Sequence, residues 1–202
     1  MQHGPGYHTY WKFPGIVGVP TGIDWKLPAG FKAAPIEWPA PEQVLMYQIK
    51  AQGFEGEVLL PIKITPPKDL KPGTSITLAG KAQWMCCGRE CNPGFEDLSL
   101  TLPVSGEKPA LNAKMQPLFE KAYAAVAKPL AGWKATAERE DKSITLTLTP
   151  LSEEAKARAK AIKQAMFFTD DGFINIDKGQ TFSRLDDGTL QWKLTVSEYA
   201  EH

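Results

Sequence analysis

The sequence lacks an excess of charge, a long apolar run and a cysteine framework, and each absence removes a class of protein. Lysine and arginine total 23 against 23 aspartates and glutamates, so no net field draws nucleic acid or anionic lipid to the chain. Nowhere does an apolar stretch approach the roughly 20 residues that span a bilayer, and the isolated chain is expected not to insert into a membrane. Met1-Gln2-His3-Gly4 has neither the basic start nor the apolar middle of a signal peptide; an export signal is expected to be absent from this chain. Three cysteines in 202 residues are too few for a disulfide-stapled scaffold, and an odd number leaves one thiol unpaired. No serine, histidine and acid set has the context of a hydrolase, and no glycine-rich phosphate loop occurs. No organic cofactor is expected.

Proline and glycine are plentiful, 17 of each, alongside six tryptophans. Both punctuate regular structure, so the chain reads as mainly β, with short strands joined by turns. Strand candidates in the first half are Glu57 to Ile64, Ser75 to Trp84 and Asp97 to Leu102, each carrying β-branched or aromatic residues or period-two alternation. Such frequent interruption fits a β-sandwich. Around Ser105-Gly106-Glu107-Lys108-Pro109 the composition turns polar, which places a domain boundary after residue 106.

Residues 107–202 are expected to form a smaller α+β or helix-decorated β lobe. Asn112 is positioned to cap a helix running to about Ala127, and Ser152 to cap a second, alanine-rich one. Trp133 to Glu138 and Ser143 to Thr149 read as a hairpin. Phe167 to Ile176, Gln180 to Leu185 and Thr189 to Ser197 read as strands, the last two joined by Asp186-Asp187-Gly188.

Every thiol lies within Trp84-Met85-Cys86-Cys87-Gly88-Arg89-Glu90-Cys91-Asn92-Pro93-Gly94, between two strand candidates. A tight turn can bring Cys87 and Cys91 to the Cα separation of roughly 4.4–6.8 Å that a disulfide needs. A bridge closing so short a loop removes little entropy from the unfolded chain, so its value is as readily chemical as structural. Arg89 favours a thiolate beside it and Glu90 opposes one. Spacing alone leaves three readings open: a structural bridge with a spare cysteine, a redox pair, and a soft-metal site drawing on His3 or His8. No second Cys-x-x-Cys or His-x-x-x-His completes a metal set.

The pattern Trp84-x-x-Cys87-x-x-x-Cys91-x-Pro93-Gly94, followed by Asp97-Leu98-Ser99-Leu100, resembles the N-terminal periplasmic domain of DsbD-like thiol:disulfide interchange proteins, in particular the ScsB-like branch. His8-Thr9-Tyr10-Trp11, Gly22 to Pro28, Pro35 to Pro41 and Gly53 to Pro61 add to the likeness in the expected order across residues 8 to 104. The resemblance implies an immunoglobulin-like sandwich in the periplasm, part of an inner-membrane protein. It would relay reducing equivalents from a membrane electron-transfer domain to oxidised periplasmic proteins. Its partners would be that domain, the parent's thioredoxin-like domain and thioredoxin-fold substrates.

Carried onto this sequence, Cys87 and Cys91 are the redox pair, and Cys91 matches the cysteine that bonds the outgoing partner. Trp84, Arg89 and Pro93 shape the site. Phe54, with Glu55 and Gly56, takes the place of a mobile cap loop whose aromatic ring shields the pair; from composition alone Phe54 reads equally as a core aromatic beside a turn. Cys86 departs from the pattern, which has an apolar residue there. The ScsB-like branch is named for suppression of copper sensitivity, and the alternative is a copper-binding module using Cys86, Cys87 and Cys91 without redox turnover. His8 reads as structural.

Overall fold

The computed structural model describes residues 1–200. Its longest feature is a hairpin of two 13-residue strands, β7 (Ser75–Cys87) and β8 (Cys91–Pro103), paired in unbroken register from Ser75 opposite Pro103 to Cys87 opposite Cys91. This hairpin extends the predicted strands to the cysteines themselves and leaves only Gly88, Arg89 and Glu90 at its tip.

On the other edge of β7 lie β2 (Gly22–Lys26), opposite Ala79 to Gln83, and the short β1 (His8–Tyr10), opposite Cys86 and Cys87. β1 in turn pairs β5 (Ile49–Glu55), which pairs β4 (Glu42–Met46), completing a six-stranded antiparallel sheet. A two-stranded ribbon of β3 (Lys32–Ile36) and β6 (Ile62–Thr65) forms a separate small sheet. The predicted strand from Glu57 is shorter than expected, beginning at Ile62. Gly56 turns the chain at φ 62°, and Glu57 makes only an isolated bridge to Gln2.

Directly opposed residues in a sheet share a face, and neighbours in a strand take opposite faces. On one face Tyr10, Val44, Ala51 and Cys87 form a buried cluster, with Val17, Met46 and Met85 against it. On the other, Phe54 packs with Trp11 and Val58, joined by Phe13, Trp38, Leu60 and Phe168. Each fully buried side chain of this size contributes about 1.5–3 kcal/mol.

The second half has its own four-stranded sheet, ordered β11-β12-β10-β9: β9 (Trp133–Glu140), β10 (Ser143–Pro150), β11 (Thr181–Arg184) and β12 (Leu190–Thr195). Helix α2 (Glu153–Ala161) starts as expected at Ser152, whose hydroxyl accepts from the Ala155 N–H at 3.1 Å. Helix α1 (Gln116–Ala125) begins later than expected. Asn112 instead holds the turn before it, accepting from the Lys114 and Met115 N–H groups at 3.1 and 3.3 Å.

The expected strand Phe167 to Ile176 is irregular, apart from a bridge between Ile174 and Val196. Its side chains serve two cores. Phe168 joins the Trp11 cluster, while Phe167, Phe173 and Ile174 pack on Trp192 and its neighbours. The buried Gln52 fastens this segment to the large sheet. Its amide donates to the Phe13 and Thr169 carbonyls at 2.6 and 2.8 Å and accepts from the Thr169 N–H at 3.1 Å.

Candidate redox site

The register fixes where the three thiols go. Cys87 and Cys91 face each other across the last rung of the β7–β8 hairpin, Cα atoms 4.1 Å apart, and are joined as a disulfide. Their surroundings differ because their strands differ. β7 is an inner strand, so Cys87 is enclosed between β1 and β8 and is 1% exposed. β8 pairs only with β7, which makes it an edge, and Cys91 at its start is open to solvent.

Cys86 sits one residue earlier and therefore on the opposite face, opposite Thr9 and Asn92. It is the free cysteine, half-buried, and burial pushes its thiol above the ordinary range. The three sulfurs thus do not converge. Among the described residues no group of three or more His, Cys, Asp or Glu side chains is placed to hold a metal ion. His3 is occupied otherwise: Nδ1 donates to the Gly56 carbonyl at 2.7 Å, and Nε2 lies 2.9 Å from the Thr9 hydroxyl.

The same register locates Phe54, the residue expected to shield the pair. Phe54 is the sixth residue of β5 and lies opposite Thr9, on the face of Cys86 and not that of Cys87. It is buried, and its ring stacks on Trp38 at 6.3 Å. Glu55 shares the Cys87 face but is exposed, opposite His8. Gly56 makes the turn, and its carbonyl accepts from both the backbone and the ring of His3.

Of the residues expected to shape the site, Trp84 is on the far face, its ring over Gly94; a Cβ on Gly94 would come within 2.2 Å of it. Pro93 shares the face of the pair, exposed opposite Met85. Arg89 is exposed at the tip, where its carbonyl accepts a hydrogen bond from Tyr47 at 3.2 Å.

Two residues beside the pair escaped the sequence reading. Tyr47 occupies the β4–β5 turn with φ 56° and is 69% exposed, so it reaches the cysteine loop from an adjacent hairpin. An aromatic residue in a two-residue turn was the available signal. His8, read as structural, lies directly opposite Cys87. Strand pairing between residues this distant was not available from local pattern.

Comparison with known proteins bears on the family and the fold. Residues 1–103 match the family described as "Thiol:disulfide interchange protein DsbD, N-terminal". The fold is similar to the crystal structure of the N-terminal periplasmic domain of ScsB from Proteus mirabilis, with a TM-score of 0.66 at 20% identity. That likeness covers 98% of this chain and 72% of the other. No curated protein sequence matches the chain. The fold is mainly β with an immunoglobulin-like first half, as expected.

Proposed function

Since the chain belongs to the family of N-terminal domains of the thiol:disulfide interchange protein DsbD, we propose that it is a periplasmic exchange domain whose Cys87–Cys91 pair cycles between disulfide and dithiol. It takes reducing equivalents from a membrane electron-transfer domain and passes them to oxidised, thioredoxin-fold proteins. The parent protein's thioredoxin-like domain belongs to the same circuit. No helix among the described residues is long and apolar enough to cross a membrane. Residues 1–106 act as the redox domain, and the remainder positions it through contacts such as Gln52 with Thr169.

The observation that carries this reading is the asymmetry of the bridge, with Cys91 exposed on an edge strand and Cys87 buried on an inner one. Exchange proceeds by in-line attack of a thiolate on a disulfide sulfur, so the reachable sulfur is the one that bonds the partner. A donor thiolate attacks the Cys91 sulfur, and Cys87 leaves with the electron pair. A second donor thiol then releases Cys91, giving the dithiol. Toward a substrate the order reverses, with Cys91 attacking first. Tyr47 restrains the 88–90 loop beside this sulfur through its bond to the Arg89 carbonyl. The copper-binding alternative has the weaker support, because Cys86 faces away from the pair.

Trapping tests the assignment. Reduced Cys87→Ser, lacking the resolving thiol, should accumulate a mixed disulfide with an oxidised thioredoxin-fold protein, whereas Cys91→Ser should not. Equal trapping by both variants would overturn the division of roles.

A further inference from the structure

On the face of the sheet that carries Cys87 lie two buried polar side chains that exchange at Cys91 does not use. His8 is 1% exposed and faces Cys87 across the β1–β7 pairing. Side chains of directly opposed residues in an antiparallel pair have Cβ atoms about 4.5–5.5 Å apart. His8 Nε2 is buried without a hydrogen-bond partner, and so is the hydroxyl of Tyr10, whose ring meets the imidazole edge-on at 5.0 Å. A buried polar atom left unpaired costs about 1–3 kcal/mol. Such a cost is tolerated where the atom acquires a partner during function. The disulfide has no proton to offer Nε2; the reduced Cys87 thiol has one.

We propose that His8 is the general base for Cys87, with Nε2 accepting the thiol proton when the mixed disulfide on Cys91 is resolved. This rests on the exchange reading above and assigns a residue to its second step. Cys91 first attacks the substrate disulfide, and a Cys91–substrate bridge forms as one substrate thiolate leaves. Cys87 S–H then yields its proton to Nε2, and its sulfur attacks Cys91. The Cys87–Cys91 bond forms, the Cys91–substrate bond breaks, and the second substrate sulfur departs with the electron pair. The imidazolium returns the proton to that thiolate or to water. The pair is oxidised by two electrons and the substrate disulfide is reduced by two.

The surroundings suit this role. Burial lowers the imidazole's affinity for protons, and the charge of His3 adds to that effect, so His8 is unprotonated and able to accept at neutral pH. The ionisable groups facing it are Cys87 from β7, Glu55 from β5, and Tyr10 on its own strand. Burial, then the nearby Cys86, raises the Tyr10 phenol, which stays protonated as a donor. Cys87 is also the sulfur that solvent cannot reach, so an internal base is its available proton acceptor.

The test mixes reduced chain, carrying Cys86→Ser to remove the spare thiol, with an aromatic disulfide whose released thiolate absorbs visible light. Attack by Cys91 releases a first equivalent and resolution by Cys87 a second. His8→Gln should slow the second phase by about 100-fold and leave the first unchanged, and the second phase should lose its dependence on pH through the imidazole range. Equal slowing of both phases, or no slowing, would overturn the proposal. Absence of the first phase in the His8 chain would overturn the exchange reading itself. Should His8→Gln fold poorly, nitrogen chemical shifts of His8 in the unsubstituted chain decide. They should move at Nε2 on reduction of the pair, and identical shifts in both states would contradict the role.

Discussion

One face of the six-stranded sheet carries Cys87 with His8 and Tyr10, and the other carries Cys86 with Thr9 and Phe54. The first face holds unpaired buried polar atoms beneath a bond that can open. The second carries the Trp11, Phe54 and Val58 core with the Phe54–Trp38 stack, where Trp11 Nε1 is also buried without a partner, and the half-buried Cys86. Two adjacent cysteines therefore have unlike surroundings because a strand has a period of two. The difference teaches that what surrounds a thiol is set by the strand opposite it, not by its neighbours in sequence.

The comparison breaks most visibly at the thiols. Cys91→Ser should reduce exchange with a disulfide substrate to the uncatalysed background. Cys86→Ser should change the rate by no more than about twofold, the size of effect expected of a substitution away from the chemistry. Comparable losses in both, measured by substrate reduction, would erase the distinction between the faces. With the pair reduced, alkylation followed by mass spectrometry should find Cys91 modified first, ahead of the enclosed Cys87 and of Cys86, whose thiolate burial disfavours.

The next effect separates stability from access. Phe54→Ala should cost about 3–5 kcal/mol in urea unfolding while leaving the rate at which a small dithiol reduces the bridge unchanged under native conditions. Tyr47→Phe, which removes only the donor to Arg89, should do the reverse. Its stability should hold, and reduction should accelerate by up to about fivefold, the worth of one hydrogen bond. Faster reduction in the Phe54 variant would give that ring a shielding role.

Gly94→Ala should destabilise by about 1–3 kcal/mol, because the added carbon meets the Trp84 ring at 2.2 Å on the Cys86 face. Thermal unfolding measures it; an unchanged midpoint would mean that the ring shifts freely.

The smallest effect is in pH. Because the folded His8 pKa lies below its unfolded value of 6.5, the stability it allows is complete above that value. It is lost as pH falls through the folded pKa, since only the unfolded chain gains the proton early. His8→Gln should flatten that part of the stability profile in denaturant titrations from neutral to mildly acidic pH.

Local pattern made the hairpin legible: alternating residues on both sides of a short polar tip leave few other ways to arrange Ser75 to Leu102, and Ser152 and Asp186-Asp187-Gly188 announced their own cap and turn. Phe167 to Ile176 misled because a run of apolar residues looks like a strand whether its side chains enter one core or two. At the site, spacing allowed the Cys87–Cys91 bridge, and the family resemblance of the surrounding segments assigned it. The partners of those cysteines were not legible, since His8 reaches Cys87, and Tyr47 reaches Arg89, only after chain segments far apart in sequence have paired. Phe54 sits in the expected segment, but the face it takes depends on the register of β5 with β1.

The reduction potential of the Cys87–Cys91 couple, measured by equilibration against glutathione or a stronger dithiol buffer, tests the redox assignment most directly. The account predicts a value in the range of exchanging protein thiols, between about −300 and −120 mV. A potential well below about −300 mV, where structural bridges lie, would make the pair a staple and contradict it.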